Sequence, residues 1–563
     1  SGTLRHATTV TMSADSTIDA SATDNGNGGK VVLWSDVHSA NAVTVVNGSI
    51  YAIGGVYGGN GGRVETSGHQ LTLGYSLIIS TKSTTGSDGE WLLDPDNLWI
   101  RDGSWSGSNY STTGTTTYTA QPANSSAPIL AAGGVDTRGA GYANGTSVIL
   151  AGTINAALGS GNVKVVASGL IDAAGWGLNE ATYPNYFINS TTTNKLTLQA
   201  GSSIYLSSYK FNLPNGTLEL LAGTSISQSG PTTAGAIYAN TLILGSSDGG
   251  TSKPTVSLTA ATNYITNLQA SNIATLNLSN AQALTVNSNG LNVAGAVSLS
   301  VTGDMTVNGA IAFADTSSLV STNDILVNAN ITKTAGADAT LTVKSARHLS
   351  FSTNTSLTSS SNKLNMVLNA DSDKSGDGFI KYSGPSINTN GGSLQFGVGD
   401  TALLNGATVY VGGDVYFDGS SAQTVTTGGG AISMYGETLV ANPSGLTLNS
   451  GSGGVRFYGV VNSASQIFTG VNYGSGISWL TALDLADNVA NSYLASVSSR
   501  LENSMAALSV SYNTAWLGGR RNSSGVWKWE AGPLAGQAIT YTNWASGEPN
   551  NCCTNIANGN GFY

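Results

Sequence analysis

The sequence predicts an all-β chain over roughly residues 1–470, a parallel β-helix or solenoid, followed by a small α+β module over 471–563. Three observations carry that prediction. Segments recur along the chain at spacings of about 20–30 residues, the range of solenoid repeats. The recurring segments are short runs with apolar residues two apart, the signature of strands with one buried face. The composition suits tight turns and stacked ladders: of 563 residues only 9% are charged, 73 are glycine and 11 are proline. Disorder needs high charge or many prolines, and this chain has neither.

The repeats appear in order. Asn27-Gly28-Gly29-Lys30-Val31 returns as Asn60-Gly61-Gly62-Arg63-Val64, an offset of 33 residues, and the copies follow apolar segments around Ile18 and Ile50. Leu196-Thr197-Leu198-Gln199-Ala200-Gly201 returns 22 residues on as Leu218-Glu219-Leu220-Leu221-Ala222-Gly223, and Leu242-Ile243-Leu244 follows 24 residues after that. Short alternating segments then continue: Leu276/Leu278, Leu284/Val286, Leu291/Val293, Val297/Leu299 and Met305/Val307. Stacked coils bury a continuous apolar column and leave few free strand edges. The competing reading, a set of separate β-sandwiches, calls for longer strands and a clearer domain rhythm. Two stretches break the pattern and are expected as excursions. One is 102–128, rich in Gly, Ser, Thr, Tyr and Asn. The other is 171–192, whose Trp176, Tyr183, Tyr186 and Phe187 either pack on the flank or line a binding surface.

Charge and cysteine content exclude several function classes. The net charge is −10 with 21 basic residues spread thinly, so no nucleic-acid footprint is present. No basic amphipathic stretch suits a membrane surface. No apolar run reaches the roughly 18–20 residues that span a bilayer. The chain opens at Ser1 without a signal peptide, which is expected of a mature form or an internal fragment. Cys552 and Cys553 are adjacent; a vicinal disulfide, separate partners and two free thiols all remain open.

Catalytic constellations are not apparent. Polysaccharide-cleaving β-helices need clustered acids, and here acids are sparse. His6, His38, His69 and His348 lie far apart with no matching nucleophile, so no enzyme activity is expected. One acidic cluster stands out, Asp371-Ser372-Asp373-Lys374-Ser375-Gly376-Asp377-Gly378. Asp371, Asp373 and Asp377 suggest an oxygen-rich calcium loop, with a solvated turn as the alternative. An EF-hand fails, because its twelfth position is Tyr382 rather than an acid.

Two pieces carry a family resemblance: Gly61-Gly62-Arg63-Val64-Glu65-Thr66-Ser67-Gly68-His69 and Glu90-Trp91-Leu92-Leu93-Asp94-Pro95-Asp96-Asn97. They resemble the two-partner-secretion exoproteins, the filamentous-haemagglutinin-like and high-molecular-weight adhesins. Segments from Ser16 to Val31 and from Ile331 to Thr342 look like the same family, and the resemblance spans about residues 10–460. It implies a right-handed parallel β-helix exported through an outer-membrane two-partner-secretion transporter of a Gram-negative-type bacterium. Surface display or release, adhesion and biofilm building are the expected roles. The family's N-terminal secretion domain is absent from these residues. Trp91-Leu92-Leu93 reads as a buried strand, and Asp94-Pro95-Asp96-Asn97 as the turn after it.

After Val471 the pattern changes. Trp479, Leu480, Leu483, Ala486 and Val489 have helical spacing over 478–489. A second helix is expected over 499–508, opened by Ser498/Ser499 with Glu502 in a capping box. Aromatic-rich strands are expected at Trp516–Gly519, Trp527–Trp529 and Tyr541–Trp544. Together with Gly525 and Gly547-Glu548-Pro549-Asn550, this order of motifs resembles a partial C-type lectin. In that family Glu-Pro-Asn belongs to the calcium and sugar site. The resemblance implies Glu548 and Asn550 as Ca2+ and glycan ligands, with Pro549 aiming them, and a mannose-like preference. The chain departs from the family in three ways. No acid follows Glu548, no Trp-Asn-Asp strand follows, and the usual cysteine pairs are missing, so the site is incomplete. Two functions from different classes are thereby expected: an adhesin binding glycans or cell-surface receptors, or a matrix protein self-associating end to end into fibres.

Overall fold

The computed structural model describes residues 7–74, 77–101, 110–111, 117–118, 146–174, 188–207, 210–229, 235–404, 407–463, 468–472, 476–511, 515–522 and 524–544. Strands are the commonest element among the described residues, and they form long parallel sheets consistent with a β-solenoid. The chain divides into two compact units. The first comprises Ser1–Thr322, Asn328–Ala339 and Ser360–Asn362; the second comprises Asn323–Val327, Thr340–Ser359 and Lys363–Tyr563.

In the first unit the sequence repeats are the strand register. Lys30–Trp34 pairs in parallel with Arg63–Ser67, and that strand with Glu90–Asp94, so the 33-residue offset sets Val31 on Val64. Ile18 sits on Ile50 in the same way, and Ile50 on Ile79. The 22- and 24-residue offsets place Leu196 on Leu218 and Leu218 on Leu242. The result is one continuous column: Val31, Val64, Trp91, Val163, Leu196, Leu218, Leu242, Leu268, Val286 and Val307. Every member is buried. Alternation explains this: a strand side chain and its neighbours two away face inward, so in-register stacking multiplies one apolar position into a column.

Glycine permits the close approach at one corner. A Cβ on Gly62 would stand 2.1 Å from the Gly29 carbonyl oxygen, and one on Gly89 would stand 1.9 Å from the Gly62 carbonyl oxygen. Both obstructions are backbone and cannot yield. Two buried polar side chains of the first unit are satisfied by hydrogen bonds inside the core. Asn263, fully buried, donates from Nδ2 to the carbonyls of Leu258 and Ser279 and accepts the Ile237 N–H on Oδ1. Lys333 is also fully buried, and its Nζ donates to the carbonyl oxygens of Ala335, Gly336 and Ser361.

The helix α1 (Ala151–Leu158) was not anticipated from sequence; it buries Ala151, Ile154, Ala157 and Leu158. Within the first expected excursion, Tyr110–Ser111 and Thr117–Tyr118 form an antiparallel pair. In the second, Ile171–Ala174 is a paired strand between Leu98–Ile100 and Ile204–Ser207. Ile188–Asn189 pairs with Phe211–Asn212. Trp176, Tyr183, Tyr186 and Phe187 lie outside the described residues.

The second unit stacks in the same manner. Ile325, Leu349, Ile380, Val415, Thr438 and Val461 form one column. Leu357, Ile387, Val425 and Leu448 form a second. Leu368, Phe396, Met434 and Phe457 form a third. Aromatic rings fill the wider interior: Phe351 and Tyr382 lie 5.5 Å apart and Phe396 and Phe417 5.6 Å apart, while the Tyr382 hydroxyl donates to the Ser386 carbonyl at 2.7 Å. An antiparallel hairpin, Thr401–Leu404 with Ala407–Tyr410, leaves the stack.

Past residue 476 the elements change type. Helix α2 (Trp479–Asp487) is capped by Ser478, whose Oγ accepts the Thr481 N–H. Helix α3 (Arg500–Ser509) is capped by Ser499, whose Oγ accepts the Glu502 N–H. The expected capping box closes differently: the Glu502 carboxylate takes the N–H and hydroxyl of Ser498, not the N–H of Ser499. Gly519–Arg521 and Trp527–Trp529 pair antiparallel. The buried Trp479 donates its indole N–H to the Leu517 carbonyl at 2.7 Å. The strand expected at Tyr541–Trp544 is not formed. Its backbone joins no ladder, and it is held instead by side chains, with the Trp544 ring 5.3 Å from that of Trp527.

Candidate functional site

The residues that the sequence marked for chemistry fall in different places. Glu548, Pro549 and Asn550, like Cys552 and Cys553, lie outside the described residues. The 371–378 segment is a tight turn in which Asp371 (φ 49°), Lys374 (φ 63°) and Gly376 (φ 84°) take the left-handed region. Asp371 is buried, and its carboxylate accepts the Gly376 N–H at 2.9 Å and the Ser375 hydroxyl at 3.0 Å. It therefore serves as the turn's own cap. Asp373 and Asp377 are exposed. Among the described residues no three His, Cys, Asp or Glu side chains group closely enough to hold a metal ion.

A different cluster gathers around Asp371. It is built by the strand Val415–Phe417, the loop before it, and the first turn of α3. Asp414 precedes that strand at a corner where Gly413, Gly436 and Gly459 follow one another. A Cβ on Gly436 would stand 2.2 Å from Asp414 Oδ1, so the glycine makes the space that the carboxylate occupies. Asp414 Oδ1 accepts the Glu437 N–H at 2.8 Å. Its Oδ2 meets Arg500 Nη2 at 2.5 Å, and the Asp414 side chain is 2% exposed. The same Nη2 donates to the Tyr410 carbonyl at 2.7 Å, and Arg500 Nη1 lies 4.0 Å from Asp371 Oδ2. Tyr410 belongs to the excursion hairpin, and its ring packs 5.9 Å from Tyr435 and 6.0 Å from Tyr458, so one guanidinium ties hairpin, strand and helix together.

Apolar contact completes the joint. Leu501 and Met505 of α3 pack with Phe379, Tyr416 and Leu439 of the stacked strands, with Ala441 and Phe468 at the margin. The electrostatics follow from burial. Burial pushes the Asp414 carboxyl up to about 6, with Arg500 pulling the other way. Burial likewise pushes Asp371 up to about 6 against the N–H of Gly376 and the hydroxyl of Ser375. Glu437 is raised by burial, opposed by hydrogen bonds from Ser499 and Asn462. Burial takes the Tyr541 hydroxyl up to about 12. Two buried carboxylates thus share one guanidinium. The arrangement holds α3 against the strands, and its charge balance shifts between neutral and mildly acidic pH.

The sequence reasoning missed Asp414, Glu437 and Arg500. A signal was present: in a chain with so few charges, an acid directly after Val411-Gly412-Gly413 and directly before an apolar strand stands out. What sequence does not give is the pairing, since Tyr410 and Arg500 are 90 residues apart. With this geometry established, the comparisons can be stated: no family model matches the chain, and no curated protein matches it.

Proposed function

We propose that the chain is part of a secreted or surface-displayed adhesin-type exoprotein, a right-handed parallel β-helix over 1–470 presenting a partial C-type-lectin-like module over 471–563. The observation that carries the reading is the α3 joint. Helix α3, in the segment whose sequence resembles the lectin family, is fixed to the stacked strands by a buried ion pair and an apolar seam, Arg500 to Asp414 and Leu501 with Met505 to Phe379, Tyr416 and Leu439. A stalk that transmits position to a binding module needs such a fixed joint. A freely tethered module would have no reason to bury charge there. The ligands are glycans or cell-surface receptors, with Glu548, Pro549 and Asn550 as the contact residues and Ca2+ as the cation. Export uses an outer-membrane two-partner-secretion transporter of a Gram-negative-type bacterium.

The test is a glycan array read with and without calcium. Calcium-dependent binding to mannose-type glycans, lost in Glu548→Gln and Asn550→Ala, is the expected result. No binding to any glycan or to host or bacterial cell surfaces would remove the adhesin reading.

A further inference from the structure

We infer that the flank of the first unit carries a groove that binds a neutral, hydroxyl-rich polysaccharide. The groove uses none of the residues assigned above to calcium or glycans, so the inference goes beyond the adhesin reading and does not rest on it.

The groove, about 550 Å3 in volume, crosses the starts of four stacked strands, Lys30–Trp34, Arg63–Ser67, Glu90–Asp94 and Asn162–Ala167. Three strand spacings give it a length of roughly 14 Å. Its floor is the main chain of the glycine corner, and its walls are Asn27, Lys30, Arg63, Asp88, Glu90 and Asn162. These residues and their chain neighbours on both sides are all described. The groove runs across the ladder on its outer face. A strand added beside Lys30–Trp34 would lengthen it and not close it.

What marks the place is charge that stacking does not require. The outward row Lys30, Arg63, Glu90 and Asn162 continues in register through Lys195 to Thr217, Thr241, Asn267, Thr285 and Thr306. Past Lys195 the row holds only threonine and asparagine, and the strands stack all the same. Nor do the charges of the groove hold the fold. Lys30 Nζ stands 4.0 Å from Glu65, and Arg63 Nε stands 3.8 Å from Glu90, with the two basic side chains 59% and 48% exposed. Exposed pairs at such distances contribute little to stability. Lys195, beyond the groove, closes on Glu219 at 2.9 Å instead.

The groups left over define the ligand. Asn27 Oδ1 accepts the Asn60 N–H and Asn162 Oδ1 accepts the Lys195 N–H, both at 2.8 Å. Only the oxygen of an amide can accept a main-chain N–H, so both amides are oriented. Each Nδ2, without a partner among the described residues, remains a donor. Asp88 is spent, since its carboxylate accepts the Ser83 N–H and the Asn194 amide. The N–H groups of Gly28, Gly61 and Gly89 on the floor are bonded to the carbonyls of Asn60, Ser87 and Thr81, so no cradle for an anion is left. Lys30 and Arg63 face Glu65, Asp88 and Glu90, and a polyanion therefore gains no net attraction. The Arg63–Glu90 gap is too long for a direct hydrogen bond, yet one hydroxyl can sit between them, accepting from the guanidinium and donating to the carboxylate. Lys30 and Glu65 offer the same arrangement. Hydroxyls repeated along an uncharged chain are the chemistry of a neutral polysaccharide.

The test is binding of the whole chain to immobilised dextran, mannan, polygalacturonate and heparin, read in EDTA so that no calcium-dependent site contributes. Binding to dextran or mannan that persists in added salt is the expected result. Arg63→Gln and Glu90→Gln should each weaken it about tenfold, by removing one charged partner of a hydroxyl. Thr217→Ala, in the same outward row past the groove, should leave it unchanged. Because the Arg63 and Glu90 side chains are 48% and 34% exposed, all three variants should keep the protease resistance of the parent chain. Failure to bind either neutral polysaccharide, stronger binding to polygalacturonate or heparin, or a loss in Thr217→Ala equal to that in Arg63→Gln would each overturn the proposal. Glu548→Gln and Asn550→Ala should leave this binding intact, so the two readings fail separately.

Discussion

Replacing Arg500 by methionine keeps most of the side-chain volume and removes the guanidinium. The Asp414 carboxylate then loses its partner at 2.5 Å and stays almost wholly buried, and the Tyr410 carbonyl loses its donor. Breaking one side of a buried ion pair costs about 3–5 kcal/mol when the remaining charge cannot escape. Here the charge has an exit, because Asp414 can take a proton. Its carboxyl already sits near 6 in the folded chain against an ordinary value of 3.8. The sign follows from that direction. A carboxyl raised on folding favours the protonated folded form. Its contribution to stability is complete below about pH 4 and is lost as pH rises through about 6. Without Arg500 the value rises further. The penalty of Arg500→Met is therefore largest near pH 8 and shrinks by about 1.4 kcal/mol per pH unit as Asp414 protonates. Hydrogen exchange over α3, read by mass spectrometry, measures this locally and does not require the whole chain to unfold in one step. Protection of 500–509 should drop by about two orders of magnitude near pH 8 and recover substantially near pH 5, as the same pKa arithmetic requires. Arg500→Met with Asp414→Asn should restore much of the protection at both pH values. Unchanged protection in Arg500→Met, or a loss that ignores pH, would refute the joint as described.

The other stability predictions concern the first unit. Lys333→Met should cost about 3 kcal/mol, because three carbonyls lose a shared cationic donor inside the core; faster exchange over 331–336 and 360–362 is the readout. Gly62→Ala should cost several kcal/mol, because its Cβ would stand 2.1 Å from the Gly29 carbonyl oxygen, where only main chain could move; loss of protease resistance in the first hundred or so residues checks it. Gly152→Ala, in α1 with nothing within 4 Å of its Cβ, should be neutral or gain up to about 1 kcal/mol.

What sequence reveals about this fold depends on whether a contact is encoded as a repeat. Register in a stack of parallel strands is the same quantity as the spacing between similar segments. Counting from Lys30 to Arg63, or from Leu196 to Leu218, therefore reads a structural contact directly. Ile171–Ala174 shows the limit. Neighbouring aromatics suggested an excursion, but Ile171 and Ala173 alternate into the core like any other strand pair. The α1 helix shows another. Its buried Ala151, Ile154, Ala157 and Leu158 have helical spacing, but eight residues rich in alanine, glycine and threonine give that spacing little weight against the surrounding strand pattern. Tyr541–Trp544 has the residues of a strand, and a tryptophan contact holds it outside any ladder. The Arg500 joint was least legible, because nothing repeats there.

That difference bears on where function can reside in such a chain. Inside the stack one inward position resembles the next, so most inward substitutions act on stability by the same route, lost apolar burial. Departures from the rule are costly, and in a chain with 9% charged residues they are easy to enumerate. Lys333 gathers three carbonyls within the first unit. Arg347 meets Asp324 at 2.6 Å, both partly buried, in the second. Arg500 serves Asp414 and the excursion hairpin at once. Each of these sets a charge in place of an apolar side chain in a chain held mainly by apolar burial, and removing one partner alone leaves the other unsatisfied. Stacking alone does not explain that substitution, whereas fixing one geometry among several of similar apolar burial does. Arg500 fixes it at the point where the stacked strands meet an element of a different kind. The alternation that makes the columns cannot specify how α3 sits on them: Leu501 and Met505 choose which face of the helix meets the strands, but apolar contact is largely indifferent to a small slide along it. A bonded guanidinium is not: moving it one residue along α3 would leave Asp414 buried and alone.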